Sequence, residues 1–528
     1  MRMTPSTART LGDSLNRVDT RIRDLLSQPT AALIALLIVV LFAHGYEIFN
    51  LHLTIDEELH LDTGRRAIAE LWIAQGRWGM GIVTTLIPSS VVPVVSPGLG
   101  VGLLALSLWL TVERAFGADR CASVCAVSVA ITLPVLPFTM SFATFAHGIG
   151  FACLAAAGFI LLIRRANHAV HFTIAALLAA FAISVYQPMI FVLAALVVVD
   201  LCRTDLKLTD KTRLRGVITL VGALGLYFLI DQIVRRVLQA DMTQYVDSYI
   251  DLKGLLAHPL DRITRATRDT WSVFHVPKDL FVLHSPGLEL FMGVALLACV
   301  RTLILAKGTS RSAPLITAML LLALPTVAEM VSTYSAPLRS MVYLPFVVAL
   351  IGTMAFMISG TGLRLSLYAL TLLAVLGNSD VNNRLYAAGN FAYERDRFFA
   401  HDIMREIEKV VARDKSSLNE LRLEVVGIKS WQDSPLIPKR ETLGASFFEW
   451  GGVSRSRTAA FLRDLGFDIR DASDTEIVPV VPIAIEMPSW PADGWVRHER
   501  NLLIVKLGEY TPSQKRMLCS AGAKELCP

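Results

Sequence analysis

AALIALLIVVLFAHGYEIFNLHLTIDEE, residues 31–58, is the stretch on which the reading of the fold turns. Its first twenty residues are apolar and long enough to cross a bilayer core of roughly 30 Å. Three acids then follow in a row, Asp56, Glu57 and Glu58. The rest of the chain repeats the first half of that pattern. Of 528 residues, 53% are hydrophobic and only 18% charged, where a soluble protein carries roughly 25% charge. Mean hydropathy is +0.52. The apolar residues come in blocks of span length, which predicts a polytopic α-helical membrane protein. In such a chain the net charge of +5 reports which loops stay in the cytoplasm, and no nucleic-acid partner is expected.

Eleven spans are expected, at 31–50, 98–116, 121–138, 146–163, 169–186, 188–202, 215–234, 288–306, 313–331, 341–359 and 364–378. The apolar stretch 79–95 is broken by Pro88 and Pro93 and reads as a re-entrant or interfacial segment, a form tolerated at depth only where protein or a cavity satisfies the backbone. The N-terminal 1–30 carries Arg2, Arg9, Arg17, Arg21 and Arg23 with no cleavage site behind the first block, so it reads as a cytoplasmic segment before a retained anchor. With 79–95 not crossing, the basic stretches 113–120, 164–168, 203–215 and 307–311 and the turn before Arg364 all become cytoplasmic, as the positive-inside rule asks. Counting 79–95 as a crossing puts Arg164, Arg165 and the 203–215 loop outside. The preferred drawing therefore leaves loops 51–97 and 235–287 and everything after residue 378 on the external side of a 31–378 membrane domain.

Residues 379–528 read as a separate soluble domain of ordinary size. Helical spacing at 395–413 and within 447–465, and short strand patterns at 421–428 and 501–507, predict a small α/β fold. Cys121, Cys125, Cys153, Cys202 and Cys299 lie in or beside spans and read as small buried hydrophobes. Cys519 and Cys527 stand close together in a polar segment and are able to pair in an oxidising compartment. No repeat, P-loop, Gly-rich dinucleotide motif or metal-ligand spacing is present in the sequence.

The acids after the first span suit a helix start, where the dipole is positive and Thr54 is placed to cap. Beyond them Leu61, Ile68 and Trp72 recur at helical spacing, with Arg65, Arg66, Glu70 and Gln75 largely off that stripe. This predicts one amphipathic helix lying in the interface, followed by Gly76-Arg77-Trp78. Acids, interfacial helix and broken segment together describe a site at the membrane surface, open to a lipid from the side and a polar acceptor from above.

On these residues the chain resembles the polyprenyl-phosphate-dependent glycosyltransferases of the GT-C fold. Within them it is similar in layout, over most of residues 30–400, to the Gtr-type, phage-associated O-antigen glucosyltransferases. The resemblance implies a bacterial inner-membrane enzyme that transfers a sugar, glucose by analogy, from a polyprenyl phosphate to a surface polysaccharide or lipid-linked glycan, with its C-terminal domain periplasmic. It implies an external-loop carboxylate as general base. Members carry paired acids; this chain has Asp-Glu-Glu, so Asp56 and then Glu57 are the candidates. The second acid, or Glu58, is of a kind that binds a sugar or acceptor hydroxyl, or a divalent cation, but no cofactor is predicted. For the leaving phosphate the candidates are Arg77 and Arg339, the latter in TYSAPLRS at 333–340, although both residue types also anchor helices at interfaces. Arg262, Arg265 and Arg268 form a basic stripe in the external loop that suits either anionic lipid or plain solvent. Tyr186 and Gln187, with His147 also at an external span end, are candidates to line the sugar pocket. Asn378, Asp380, Asn382 and Asn383 read as a polar linker or a glycan contact.

Two other function classes compete. A transporter or flippase asks for broken or charged spans and repeat symmetry; Asp231, near the outer end of its span, is the feature on that side. An O-antigen polymerase or ligase asks for basic residues in late loops. The acids after the first span favour transfer.

Overall fold

In the computed structural model the described residues are 5–50, 52–87, 94–165, 168–202, 214–239, 251–274, 285–305, 312–333, 336–432, 434, 436–437, 439, 441–452 and 455–527. They form two compact units, Met1–Asn50 with Arg65–Arg384, and Leu51–Gly64 with Leu385–Pro528.

The first unit is helical because its apolar blocks leave the backbone no partner but itself. Among the described residues, seven helices are long and apolar enough to cross a membrane: Pro29–Phe49, Val95–Ala115, Ala146–Arg165, Arg215–Leu238, Pro286–Leu305, Ala313–Val331 and Thr361–Asp414. The other four expected spans are shorter apolar helices, Arg120–Ile131, Ala169–Val185, Met189–Leu201 and Leu344–Ile358. An amphipathic helix, Pro5–Ser27, precedes them, and Pro29 opens the first span. Of the broken stretch 79–95, residues 79–87 belong to the helix Trp78–Leu86 and its cap, and Val95 opens the next helix; Pro88 and Pro93 lie outside the described residues, as do 203–213 of the basic loop, the loop segments 240–250 and 275–284, and 306–311.

Two helices touch backbone to backbone. A Cβ on Gly100 would sit 2.6 Å from the Ala146 carbonyl oxygen, and one on Gly150 would sit 2.9 Å from that of Gly100. Small residues at such crossings let van der Waals packing replace the hydrophobic drive that lipid does not provide.

The structure departs from the sequence expectation in three places. The single interfacial helix is two, Glu57–Thr63 and Arg65–Ala74, because the chain turns at Gly64 with φ +77°. Leu61 therefore stands on a different helix from Ile68 and Trp72, which are buried, while Arg66 and Glu70 pair at 3.0 Å on the surface. Second, the arginine stripe on the Pro259–Phe274 helix is largely spent on backbone. Arg262 Nη1 donates to the Ser332 carbonyl at 2.7 Å and Arg265 Nη1 to that of Thr333 at 2.8 Å. These carbonyls follow the end of Ala313–Val331, where a helix leaves acceptors orphaned and its dipole is negative. Arg268 remains exposed beside Asp269.

Third, the last span does not stop at 378. It continues as one 54-residue helix, Thr361–Asp414, so the expected linker and the expected boundary at 378/379 both fall inside it. The asparagines bond instead of linking. Asn378 Nδ2 donates to Thr132 Oγ1 at 3.2 Å, Asn382 Nδ2 to the Thr132 carbonyl at 3.0 Å, and Asn383 Nδ2 to the Phe42 carbonyl at 3.0 Å. Thr132 ends the Arg120–Ile131 helix, so Asn382 satisfies a carbonyl that helix cannot.

The second unit contains a four-stranded sheet in the order β2-β1-β4-β3, with β1 Arg422–Val426, β2 Arg470–Asp471, β3 Val496–Glu499 and β4 Leu502–Lys506. β1 runs parallel to β2 and β4, and β3 antiparallel to β4. Strands β1 and β4 fall at the two expected strand segments. Val426, Leu502 and Ile504 pack against Ile477, Val481 and Leu518 to make its core. Within β1, Glu424 is buried, and burial pushes its carboxyl up to about 8 although Arg455 lies 3.9 Å away. Cys519 and Cys527 are joined in a disulfide.

Gly100→Val should strongly lower the yield and melting temperature of detergent-extracted protein, whereas Gly102→Val, whose Cβ meets nothing within 4 Å, should behave as wild type. Equal melting of the two variants would count against the glycine contact.

Candidate functional site

The three acids are handled differently by their surroundings. The segment leading to them, His52 to Ile55, is buried. Thr54 joins the turn through its backbone. Its carbonyl accepts from the Glu57 N–H at 3.0 Å, and its own N–H donates to Glu57 Oε2 at 2.9 Å. Glu57 thus closes a tight turn with its own carboxylate, fully buried. Asp56, at the top of that turn, holds φ +87°. Aspartate tolerates the left-handed region better than most residues, yet the conformation persists only where neighbours over-determine it.

The neighbour is Arg457, on the helix Arg455–Asp464. Its Nη2 donates to Asp56 Oδ1 at 2.9 Å, and its Nη1 donates to Glu58 Oε1. One planar fork therefore spans two carboxylates, a geometry a lysine ammonium cannot reproduce. Glu58 is fully buried, and among the described residues its Oε2 has no hydrogen-bond partner. Burial pushes its carboxyl from 4.5 up to about 8, against the opposing pull of Arg457. Asp56 differs: its side chain is 41% exposed, against 0% for Glu58. Of the three acids it is the one that solvent reaches. Arg457 was invisible to sequence reading, since it lies 401 positions from Asp56 and no local pattern couples them.

The first unit gathers three other candidates around one turn. Gly76, at φ +74°, lets the chain pass from Arg65–Ala74 to Trp78–Leu86 and presents Arg77. Arg77 Nε donates to Gln187 Oε1 at 3.1 Å, and Gln187 Nε2 donates to the Gln75 carbonyl at 2.9 Å. Tyr227 Oη donates to the Gly76 carbonyl at 3.0 Å. The Arg77 guanidinium lies 5.3 Å from the ring centres of both Trp72 and Tyr186, within the range where ring quadrupoles attract cations. Asp231, near Tyr227 on the Arg215–Leu238 helix, pairs with Arg235 at 2.6 Å.

Arg339 sits in the 3₁₀ turn Leu338–Ser340, with its guanidinium 5.7 Å from the Phe142 ring and its carbonyl accepting from Thr139 Oγ1 at 3.1 Å. Phe142 and Phe145 belong to one turn, closed by the Phe145 N–H on the Phe142 carbonyl at 3.0 Å. Phe145 in turn meets Trp72 at 5.7 Å and Tyr186 at 5.0 Å. The two arginines thus flank a shared aromatic turn, one resting on Phe142, the other on rings that pack against Phe145. Residues 334–335 of the Arg339 loop lie outside the described residues. His147 is buried with Nδ1 2.7 Å from Ser96 Oγ, a packing contact in the helix core. Among the described residues no three His, Cys, Asp or Glu side chains converge to hold a metal ion.

The family described as Glucosyl transferase GtrII matches residues 45–359, more than half of the chain. The matched part includes the acids, Arg77, Tyr186, Gln187 and Arg339, and ends well before Arg457. No curated protein and no solved structure matches the chain.

Between about pH 4.5 and 8 the folded chain keeps a proton on Glu58 that the unfolded chain releases. Stability should therefore fall as pH rises through that window, by up to ~1.4 kcal/mol per pH unit for each such group. Glu424 contributes with the same sign. Thermal unfolding from pH 4.5 to 8.5 should show a shallower slope in Glu58→Gln and in Glu424→Gln than in wild type; an unchanged slope in Glu58→Gln would mean that Glu58 does not hold that proton.

Proposed function

This chain belongs to the GtrII glucosyl transferase family, and from that premise we propose that it moves glucose from a polyprenyl-phosphate donor to a cell-surface polysaccharide such as O-antigen. Membership makes it a membrane glycosyltransferase. The finer reading places it in the bacterial cytoplasmic membrane as a GT-C-like enzyme, with Pro5–Ser27 cytoplasmic and the C-terminal residues periplasmic.

The observation that carries the reaction is the solvent-reachable Asp56 carboxylate, held by the same guanidinium that secures buried Glu58. Asp56 is the general base. It takes the proton of an acceptor hydroxyl as that oxygen attacks C1 of the donor sugar. The bond from C1 to the phosphate oxygen breaks, and its electron pair leaves with the phosphate. One displacement inverts the anomeric centre, so a single base suffices. Charge on the sugar ring in the oxocarbenium-like transition state favours nearby carboxylates. Glu57, already closing its turn, is the less suited base. Glu58, fully buried, is assigned to holding the Arg457 fork. Arg457 is a positioning residue for both acids.

The leaving phosphate is assigned to Arg77 or Arg339, because a guanidinium stays charged and offers paired donors. Tyr186 and Gln187, which hold Arg77, are assigned to the donor sugar side.

Asp56→Asn should lower glucose transfer by at least about 100-fold, measured with purified protein, labelled polyprenyl-phosphate glucose and crude O-polysaccharide, while expression and membrane insertion stay unchanged. Full activity in that variant would remove Asp56 from the role. A reporter active only after export, fused beyond residue 528, should be active; an inactive but stably expressed fusion would reverse the assigned sides.

A further inference from the structure

The second unit carries an open cleft of about 590 Å³ that the reaction above does not use. One wall is a single face of the long helix, where Glu394, Arg395, Phe398, Phe399 and Asp402 recur at helical spacing. The opposite wall is formed by Trp431, Ser434, Leu436, Ile437 and Trp490. Its volume falls within the range of small-molecule sites, about 300–1,000 Å³. We propose that this cleft binds a short stretch of the acceptor saccharide, a proposal that rests on the transferase reading and gives the acceptor a site of its own.

The lining favours sugar over hydrocarbon. A pyranose has an apolar C–H face and a rim of hydroxyls. Rings that are held still receive the face. Trp431 and Trp490 each stand edge-on to Phe399, with centroids 5.5 Å apart. Trp431 is further fixed by its Nε1–H on Ser446 Oγ at 3.1 Å. Phe398 is 72% exposed at the mouth, an unfavourable place for a phenyl ring with nothing to cover it. Carboxylates and a guanidinium receive the rim. Asp402 and Glu394 offer acceptors, and their pairings with Arg405 and Arg397 at 2.9 Å lie on partly exposed side chains. Arg395 Nη2 is buried, and among the described residues it has no hydrogen-bond partner. An alkyl chain would strip water from these partly exposed charges and return no hydrogen bond, whereas a rim of hydroxyls replaces that water. Lys429, 3.8 Å from the Trp490 ring centre, adds a donor beside the indoles. The cleft also lies beyond residues 45–359, the part the family pattern covers, which suits a device for choosing an acceptor rather than for performing the transfer.

The test is calorimetric titration of the full-length protein in nanodiscs, which avoids glucose-headed detergents. The probe is short oligosaccharide cut from the crude surface polysaccharide, added without donor. Wild type should bind saturably. Phe398→Ala/Asp402→Asn, which alters exposed side chains only, should weaken binding at least about tenfold and raise the acceptor KM equally, with transfer at saturating acceptor retained. Absence of binding, equal affinity in wild type and variant, or displacement of the saccharide by polyprenyl phosphate would overturn the proposal. Saccharide binding without any transfer would keep the cleft and remove the transferase assignment; transfer with an unchanged KM in the variant would do the reverse.

Discussion

Carboxylates that leave water need a partner, and in this protein Arg457 is that partner. Its fork takes one oxygen from Asp56 and one from Glu58, so the segment that follows the first span is part of the same compact unit as the C-terminal residues. The exchange is finely balanced. Burial disfavours the charged form of Glu58 more than Arg457 restores it, which leaves that carboxyl near 8. A buried ion pair seldom gains much net stability, but removing one member leaves the other exposed to the full cost of desolvation. The left-handed backbone of Asp56 belongs to the same arrangement, held by the Glu57 turn and by Arg457.

The arginines of the membrane unit obey a related rule with different partners. A guanidinium beside apolar spans has to be held by rings, amides or carbonyls. Arg77 has Gln187, Trp72 and Tyr186; Arg339 has Phe142; Arg262 and Arg265 have the carbonyls past the end of Ala313–Val331. These are separate uses of one residue type. Caps on a helix end are consumed by the fold, whereas a guanidinium lying over aromatic faces keeps the planar donor set that suits a phosphate.

Family membership and geometry divide the chain in a similar way. The matched residues hold the acids and the ring-held arginines, the groups proposed for the transfer. Beyond them lie the guanidinium that orients the acids and a cleft of aromatic and charged side chains. On the proposals above, chemistry and acceptor choice fall to different stretches of one polypeptide.

The sequence by itself determined what depends on local composition. Apolar blocks of span length have to become helices because lipid offers their backbone nothing else, and all eleven expected blocks are helical, although four are shorter than a full crossing. The short apolar and β-branched runs in 421–428 and 501–507 were enough to mark β1 and β4. The acids, Arg77 and the Tyr186-Gln187 pair could be picked out because charge and polarity at the ends of apolar runs stand out. What only the tertiary structure decided depends on partners far away along the chain. Asn378 and Asn382 look like a linker until Thr132 is seen to accept from them, and then they are the interior of a 54-residue helix. Leu61 looks continuous with Ile68 until Gly64 turns the chain. Arg262 and Arg265 look solvated until the carbonyls of another helix end appear beside them. Arg457 looks like any surface arginine of a short helix. Each case has the same physical reason: hydrogen bonds and ion pairs are made between groups a few ångströms apart in space, and no periodicity in the chain records which distant residue will arrive there.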